Sequence, residues 1–331
     1  MCGITGYIGY REAYPIVING LKRLEYRGYD SAGIMVYNNE TIQLTKTKGK
    51  VSDLEELANG NPNNKDGTIG IGHTRWATHG VPNDVNSHPH ISQSGDLVVV
   101  HNGIIENYAT IKKELISRGY AFKSDTDTEV LVNLIEEVKK QENCKLGKAV
   151  QTALTNVIGA YAIAVFDKTK PDEIIVARLG SPIAIGIGKD NSEFFIASDA
   201  SPFIEFTKNV VYLEDQELAI IKAGREIRVR KIEDDSITAA NVQELKVSLD
   251  QIEKGGYEHF MLKEIHEQPK AIKDTYRGRM LTNEGIIKLA GIDDHLNKFL
   301  RANRIVIVAC GTSWHAGLVG EYLIEDMARI P

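Results

Sequence analysis

Residues 1–9 read Met1-Cys2-Gly3-Ile4-Thr5-Gly6-Tyr7-Ile8-Gly9. Gly3–Gly9 is a run of β-forming residues punctuated by glycine, which predicts a strand beginning almost at the N-terminus. Removing Met1 would leave a cysteine that carries both a thiol and a free α-amine. The amine titrates near ~7.7–8.0 and the thiol near ~8.5, so proton transfer between them is nearly thermoneutral around neutral pH. A terminal amine acting as base for its own nucleophile is an established device. Taken alone, Met-Cys is also simply how an arbitrary chain begins.

Working outward, 331 residues suggest two domains. A net charge of −6, from 39 Lys+Arg against 45 Asp+Glu, gives no general basic footprint for nucleic acid. The longest apolar runs, such as Ala160–Phe166 and Ile305–Ala309, fall well short of the roughly 18 residues a membrane span requires. The N-terminus lacks a basic region leading into an apolar one, so no signal peptide is expected. The three cysteines, Cys2, Cys144 and Cys310, are an odd and widely spaced set, which argues against a disulfide framework and for a reducing, cytoplasmic setting. Short strand-like runs dominate to about Val229, among them Ala32–Asn38, Thr41–Thr47, Thr68–Thr74, Asp96–His101, Ala160–Asp167 and Glu193–Ala197. Helical patterns lie at Tyr108–Arg118, Thr128–Lys139 and Leu146–Val157. Strands with clustered helices predict an α+β fold built on antiparallel sheet. The polar segment Lys231–Asn241 reads as a linker. Helices are expected over Glu258–Gln268 and, restarting at Pro269, to Arg277. Arg304–Ala309, a turn at Cys310–Ser313 and a helix to about Ala328 read as one β-turn-α unit.

Five stretches occur in order: MCGITGYIG (1–9), LKRLEYRGYDSAGI (21–34), GHTRWATHG (72–80), HNGIIENY (101–108) and SDTDTEV (124–130). Together they resemble the class II glutamine amidotransferases, and RGYDSAG and TRWATHG favour the sugar-phosphate member over the phosphoribosyl-pyrophosphate or asparagine-forming ones. The resemblance implies an N-terminal-nucleophile hydrolase fold, an αββα sandwich over residues 2–240. Residues 241–331 would hold an interdomain segment and the start of an α/β sugar isomerase domain. It implies L-glutamine hydrolysis through a thioester on Cys2, with Asn102 and Gly103 as the oxyanion hole. Such donors stabilise charge that develops only in the transition state. Arg75 would grip the substrate carboxylate with its planar fork, and Asp127 would pair with the ammonium. Thr78, His79 and Arg27 complete the implied substrate set, and Trp76 would gate an ammonia channel. Read without the resemblance, Asn-Gly is also a turn signal, Asp125 suits a helix N-cap, and Arg75 suits a surface ion pair.

His73, His79, His88, His90 and His101 raise the rival of a metal site, but no recognised ligand spacing fits, and neither metal nor cofactor is expected. In RIVIVACGTSWHAGLVG, Thr312 and Ser313 stand where a helix N-terminus meets a turn, a suitable phosphate cradle that resembles the first such turn of sugar isomerase domains. His266 stands where the resemblance would place an aromatic residue. The expected function is ammonia supply for converting fructose 6-phosphate to glucosamine 6-phosphate, in hexosamine (amino sugar) biosynthesis, by a longer protein that is a homodimer and binds neither nucleic acid nor membrane. This chain alone would then hydrolyse glutamine but not make the amino sugar. The alternatives are the glutaminase module of a purine-type amidotransferase and a non-catalytic sugar-phosphate-binding regulator.

Overall fold

Successive residues of a strand point to opposite faces of its sheet, and in β1 (Gly3–Ile8) that parity sets up the architecture. Ile4 and Ile8 join an apolar cluster shared with Val98, Val100, Ala162 and Phe166 of a second sheet, while Tyr7 packs among Val17 and Leu21 on the other side. The computed structural model describes residues 2–38, 40–60, 65–77, 80–245, 256–276, 279–281, 285–287 and 295–331. Its contacts divide the chain into two compact units, Met1–Glu253 and Lys254–Pro331.

The first unit contains two antiparallel sheets. One has the order β15-β11-β9-β10-β1-β4-β2-β3, with β2 at Ser31–Asn38, β3 at Thr41–Lys48, β4 at Ile69–Arg75, β9 at Ala184–Ile187, β10 at Phe194–Ala197, β11 at Asn209–Tyr212 and β15 at Val242–Glu244. The other has the order β14-β13-β12-β8-β7-β6-β5, with β5 at His90–Ile91, β6 at Leu97–Ile105, β7 at Gly159–Asp167, β8 at Ile174–Leu179, β12 at Glu217–Ile221, β13 at Arg228–Lys231 and β14 at Ile237–Thr238. Helices α1 (Ala13–Leu24) and α2 (Val51–Asn59) cover the outer face of the first sheet. Helices α3 (Tyr108–Ser117), α4 (Asp127–Glu142) and α5 (Leu146–Thr155) cover that of the second. The result is the four-layer αββα sandwich. Between the two sheets lies an apolar core, where a fully buried side chain such as Phe166 contributes about 2–3 kcal/mol.

The helix α4 has complete end signals. Thr126, not Asp125, is the N-cap and accepts the Glu129 N–H at 3.3 Å; Asp127 and Glu129 occupy the first turn, and Lys139 and Lys140 the last. Asn143, in the left-handed region, closes it.

Several expectations need correction. The segment expected as a linker contributes the end of β13 and all of β14, and Ile232 within it is buried. Its polar residues lie at a sheet edge, where they face solvent. In the second unit one helix, Phe260–Tyr276, runs through Pro269, which forfeits an amide donor without ending the helix. Residues 304–309 are not a strand: the Ile305 N–H bonds the Pro331 carbonyl at 2.8 Å, but no described strand forms a ladder with them, and Val308 is 90% exposed. The helix after the turn does form, at Thr312–Ala328. Among the described residues no helix is long and apolar enough to cross a membrane.

Candidate active site

The same parity gathers the chemistry at one end of the sandwich. Cys2 precedes β1 with the parity of Ile4, His73 and Arg75 continue the register of Ile71 in β4, and Asn102 continues that of Val100 in β6. All four therefore arrive between the sheets, on strands whose partners on both sides are fixed. The register pairs Gly3 with Thr74 across β1 and β4, and Ser31 with Arg75 across β2 and β4.

Cys2 Sγ accepts the Trp76 backbone N–H at 3.2 Å. Burial pushes the thiol above its ordinary value, and the Trp76 N–H and the Arg75 charge only partly oppose this. At neutral pH the sulfur is therefore a thiol. The Asn102 side-chain N–H₂ donates to the Cys2 carbonyl at 3.1 Å and to Ser198 Oγ at 2.9 Å. Gly103, at φ +138°, lies inside β6, and a Cβ there would stand 2.0 Å from the Ala160 carbonyl oxygen. Asn102-Gly103 is thus a strand segment, not a turn, and the strand runs on to Ile105. Gly28 permits another close approach: a Cβ at this position would meet Arg75 C, Arg75 O and Trp76 N at 2.7–2.8 Å, so only glycine lets that loop pass under the end of β4.

Arg75 is 3% exposed and donates from Nη2 to the Gly80 carbonyl at 3.2 Å. Asp127, at the start of α4, accepts the Ile105 N–H at 2.8 Å through Oδ2. Cys2, Arg75, Trp76, His88, His101, Gly103, Thr126, Asp127 and Thr128 line one cleft. A buried guanidinium and a buried carboxylate on its walls match the two ends of an amino-acid zwitterion, with the sulfur between the sheets. The cleft measures about 20 Å³, room for a water. Trp76, half exposed, meets Tyr29 edge-on at 5.8 Å between ring centroids.

Asn102 meets the Cys2 carbonyl without lining the cleft itself. Arg27 is not among the lining residues; its Nε pairs with Asp199 at 3.2 Å, and Tyr26 donates to the same carboxylate oxygen at 3.0 Å. Thr312 and Ser313 start the last helix of the second unit. Thr78 and His79 lie outside the described residues.

Sequence reasoning passed over Ser198, Thr126 and Thr128, and it weighed His73, His88 and His101 only as metal ligands. His73 and His88 stack at 4.2 Å, and His90 meets His88 at 4.9 Å. Burial pushes His73 down to about 3 and holds His88 and His90 well below the usual histidine range, so these rings are neutral at pH 7. Among the described residues no group of three or more His, Cys, Asp or Glu side chains is arranged to hold a metal ion. The usable signal for these residues was parity: His73 has the facing of Arg75, and Thr126 and Thr128 flank Asp127.

A family profile described as a glutamine amidotransferase domain matches residues 58–256. A Bacteroides thetaiotaomicron protein named glutamine–fructose-6-phosphate aminotransferase [isomerizing] is 56% identical over 334 residues, covering 100% of this chain and 53% of its own. A Chlorobaculum tepidum protein of the same name is 55% identical over 333 residues, with the same coverage. The chain spans about half the length of the curated relatives it matches. Among solved structures, the glutamine phosphoribosylpyrophosphate amidotransferase from B. subtilis, complexed with ADP and GMP, superposes with a TM-score of 0.60 at 29% identity over 70% of this chain and 50% of that one. With more than half of its length matched by the profile, and a fold shared with a solved amidotransferase, the chain belongs to the glutamine amidotransferase domain family.

Proposed function

We propose that this chain is the glutaminase part of an enzyme that hydrolyses L-glutamine on Cys2 and delivers the ammonia to fructose 6-phosphate, yielding glucosamine 6-phosphate for amino sugar biosynthesis. The observation that carries the reading is a half-buried sulfur held at the Trp76 N–H in a cleft walled by Arg75 and Asp127. Because burial keeps the thiol protonated, a base is required. The α-amine bared by loss of Met1 is attached to the same residue and takes the proton. The sulfur then adds to the side-chain amide carbon, and the carbonyl electrons move to oxygen. Asn102 and Gly103 receive that oxyanion. Collapse expels ammonia, which carries away the proton from the amine, and leaves the γ-glutamyl thioester. Water hydrolyses the thioester to glutamate and restores the thiol.

Arg75 and Asp127 bind the substrate's carboxylate and ammonium, Thr78 and His79 add to the pocket, Arg27 supports the nucleophile from outside the cleft, and Trp76 gates the ammonia path. A dry passage matters because ammonia leaking to water is lost to the second reaction. The acceptor reading is supported by the names of the 55–56% identical relatives, and it assigns the sugar phosphate to Thr312 and Ser313 at their helix N-terminus. In its full-length form the enzyme works as a cytoplasmic homodimer.

The test is glutamate release by the purified chain and by Cys2→Ala, with intact mass spectrometry of both. Activity in the Cys2→Ala protein, or an active wild type that retains Met1, removes Cys2 and its amine from the mechanism.

A further inference from the structure

His73 is buried, is not among the residues lining the cleft and is not needed by the mechanism above. Its ring Nε2 lies 3.1 Å from the His101 carbonyl oxygen and 2.9 Å from Asn102 Oδ1. A backbone carbonyl oxygen only accepts hydrogen bonds, so Nε2 must carry the proton. Burial keeps the ring neutral, so this is its single N–H. The Asn102 amide is therefore oriented from both ends. His73 donates to its oxygen, and the Cys2 carbonyl accepts from its nitrogen at 3.1 Å.

Both Nδ2 protons are occupied in this arrangement, one on the Cys2 carbonyl and one on Ser198 Oγ. To meet a tetrahedral oxyanion, Nδ2 must release one of them. If the Cys2 contact is exchanged, that carbonyl no longer reads the amide's orientation. Ser198 does not read it either, because a hydroxyl accepts or donates equally well; its oxygen already accepts the Ile4 N–H at 2.7 Å. Among the described contacts of the Asn102 side chain, only the His73 N–H then distinguishes Oδ1 from Nδ2. We propose that His73 is a positioning residue that locks the Asn102 amide with its nitrogen toward the nucleophile, so that the oxyanion donor is in place before the oxyanion forms. The inference rests on the glutaminase reading of the site. It assigns work to a histidine that touches neither the substrate cleft nor the sulfur.

The experiment uses the whole chain and two polar substitutions that differ in where they place an N–H. A glutamine amide reaches the position of the imidazole Nε2, whereas an asparagine amide reaches only that of Nδ1. His73→Gln should retain glutaminase kcat within about 3-fold. His73→Asn should lower kcat roughly 10- to 100-fold while KM for glutamine moves less than about 3-fold, since an oxyanion donor acts in the transition state and not in ground-state binding. Glutamate γ-semialdehyde, which adds to the thiol as a tetrahedral adduct, should bind His73→Asn more weakly by a similar factor, with glutamate affinity unchanged. In an Asn102→Ala background, replacing His73 by Asn should change kcat less than about 3-fold, because a residue acting only through Asn102 has nothing left to position. Equal kcat for the Gln and Asn variants overturns the proposal, as does a loss carried by KM or a loss undiminished in the Asn102→Ala background. An inactive wild type overturns the glutaminase reading itself, and this inference with it; an active wild type matched by His73→Asn overturns this inference alone.

Discussion

Replacing Gly103 with alanine tests how the two sheets hold the site. A Cβ at this position would lie 2.0 Å from the Ala160 carbonyl oxygen and 2.7 Å from its carbon. Ordinary carbon–oxygen contact begins near ~3.3 Å, so β6 and β7 must separate by more than about 1 Å there. The two strands share a register from Leu97–Asp167 to Ile105–Gly159, and Ala160 is a backbone obstacle that no rotamer change removes. The φ of +138° adds roughly 1–3 kcal/mol for any L side chain, and loss of one or two ladder hydrogen bonds adds about 1 kcal/mol each. The expected destabilisation is about 3–5 kcal/mol, read as a fall in the urea midpoint at unchanged slope. Because Asn102 is the adjacent residue, a displacement of about 1 Å should also lower kcat roughly 100-fold in whatever fraction remains folded. Gly95→Ala is the control. Its φ is +80° and nothing lies within 4 Å of the added carbon, so it should cost only about 1–2 kcal/mol and leave kcat unchanged. If the two variants lose equal stability, the close approach of β7 is not what requires glycine at 103, and the reasoning fails.

Three further outcomes follow from the site and its supports. Arg75→Lys keeps the charge but loses the planar fork, so KM for glutamine should rise about 10- to 100-fold with kcat changed less, by steady-state glutaminase kinetics. Asp127→Asn preserves an acceptor for the Ile105 N–H while removing the charge; the fold should survive by circular dichroism, and KM should rise at least about 10-fold. Glu136 links α4 to the turn before β6. Its burial alone would raise the carboxyl, but hydrogen bonds from Lys140, Ser92 and Ser94 outweigh that and hold it at about 2, below its ordinary 4.5. The folded form thus favours the ionised carboxylate. The stabilisation is fully present above pH 4.5, amounts to as much as about 3 kcal/mol, and is lost as pH falls toward 2. Urea unfolding of wild type and Glu136→Gln should show a gap at pH 6 that narrows between pH 4.5 and 2.5; a gap independent of pH would contradict the assignment.

The meeting of Cys2 with Arg75 and Asp127, and the sheets that bring them together, were legible because their signals are local. Cys2 follows Met1, Arg75 and Asp127 sit in short distinctive runs, and β7 is an unbroken apolar strand. What escaped depended on tertiary context. The helix α1 carries Ile16, Val17, Ile18 and Gly20, a poor helical composition, yet forms because its apolar stripe is buried on β1 and β4. Strand β14 is only two residues long and exists through its pairing with β13. Residues 304–309 are the converse case, since strong β propensity gives no strand without a partner strand among the described residues. Arg27 belongs to a telling motif, but Asp199, far away in sequence, claims its guanidinium. The packing of the histidines was not legible because only ligand spacing along the chain was weighed, whereas His73 of β4 stacks on His88 in the loop before β5.

Cys2 leads directly into a central strand of its sheet, flanked by β4 on one side and β10 on the other, and the Ile4 N–H bonds Ser198 Oγ across 194 residues of sequence. During synthesis the first residues to emerge therefore wait for a neighbour, β10, that is made only after more than 180 further residues. An interrupted translation product ending before Ser198 carries the sulfur but not the frame that aims it. The topology thus doubles as a safeguard: on the proposed reading, the terminus gains its catalytic setting only once synthesis has passed Ser198 and β10 has closed on β1.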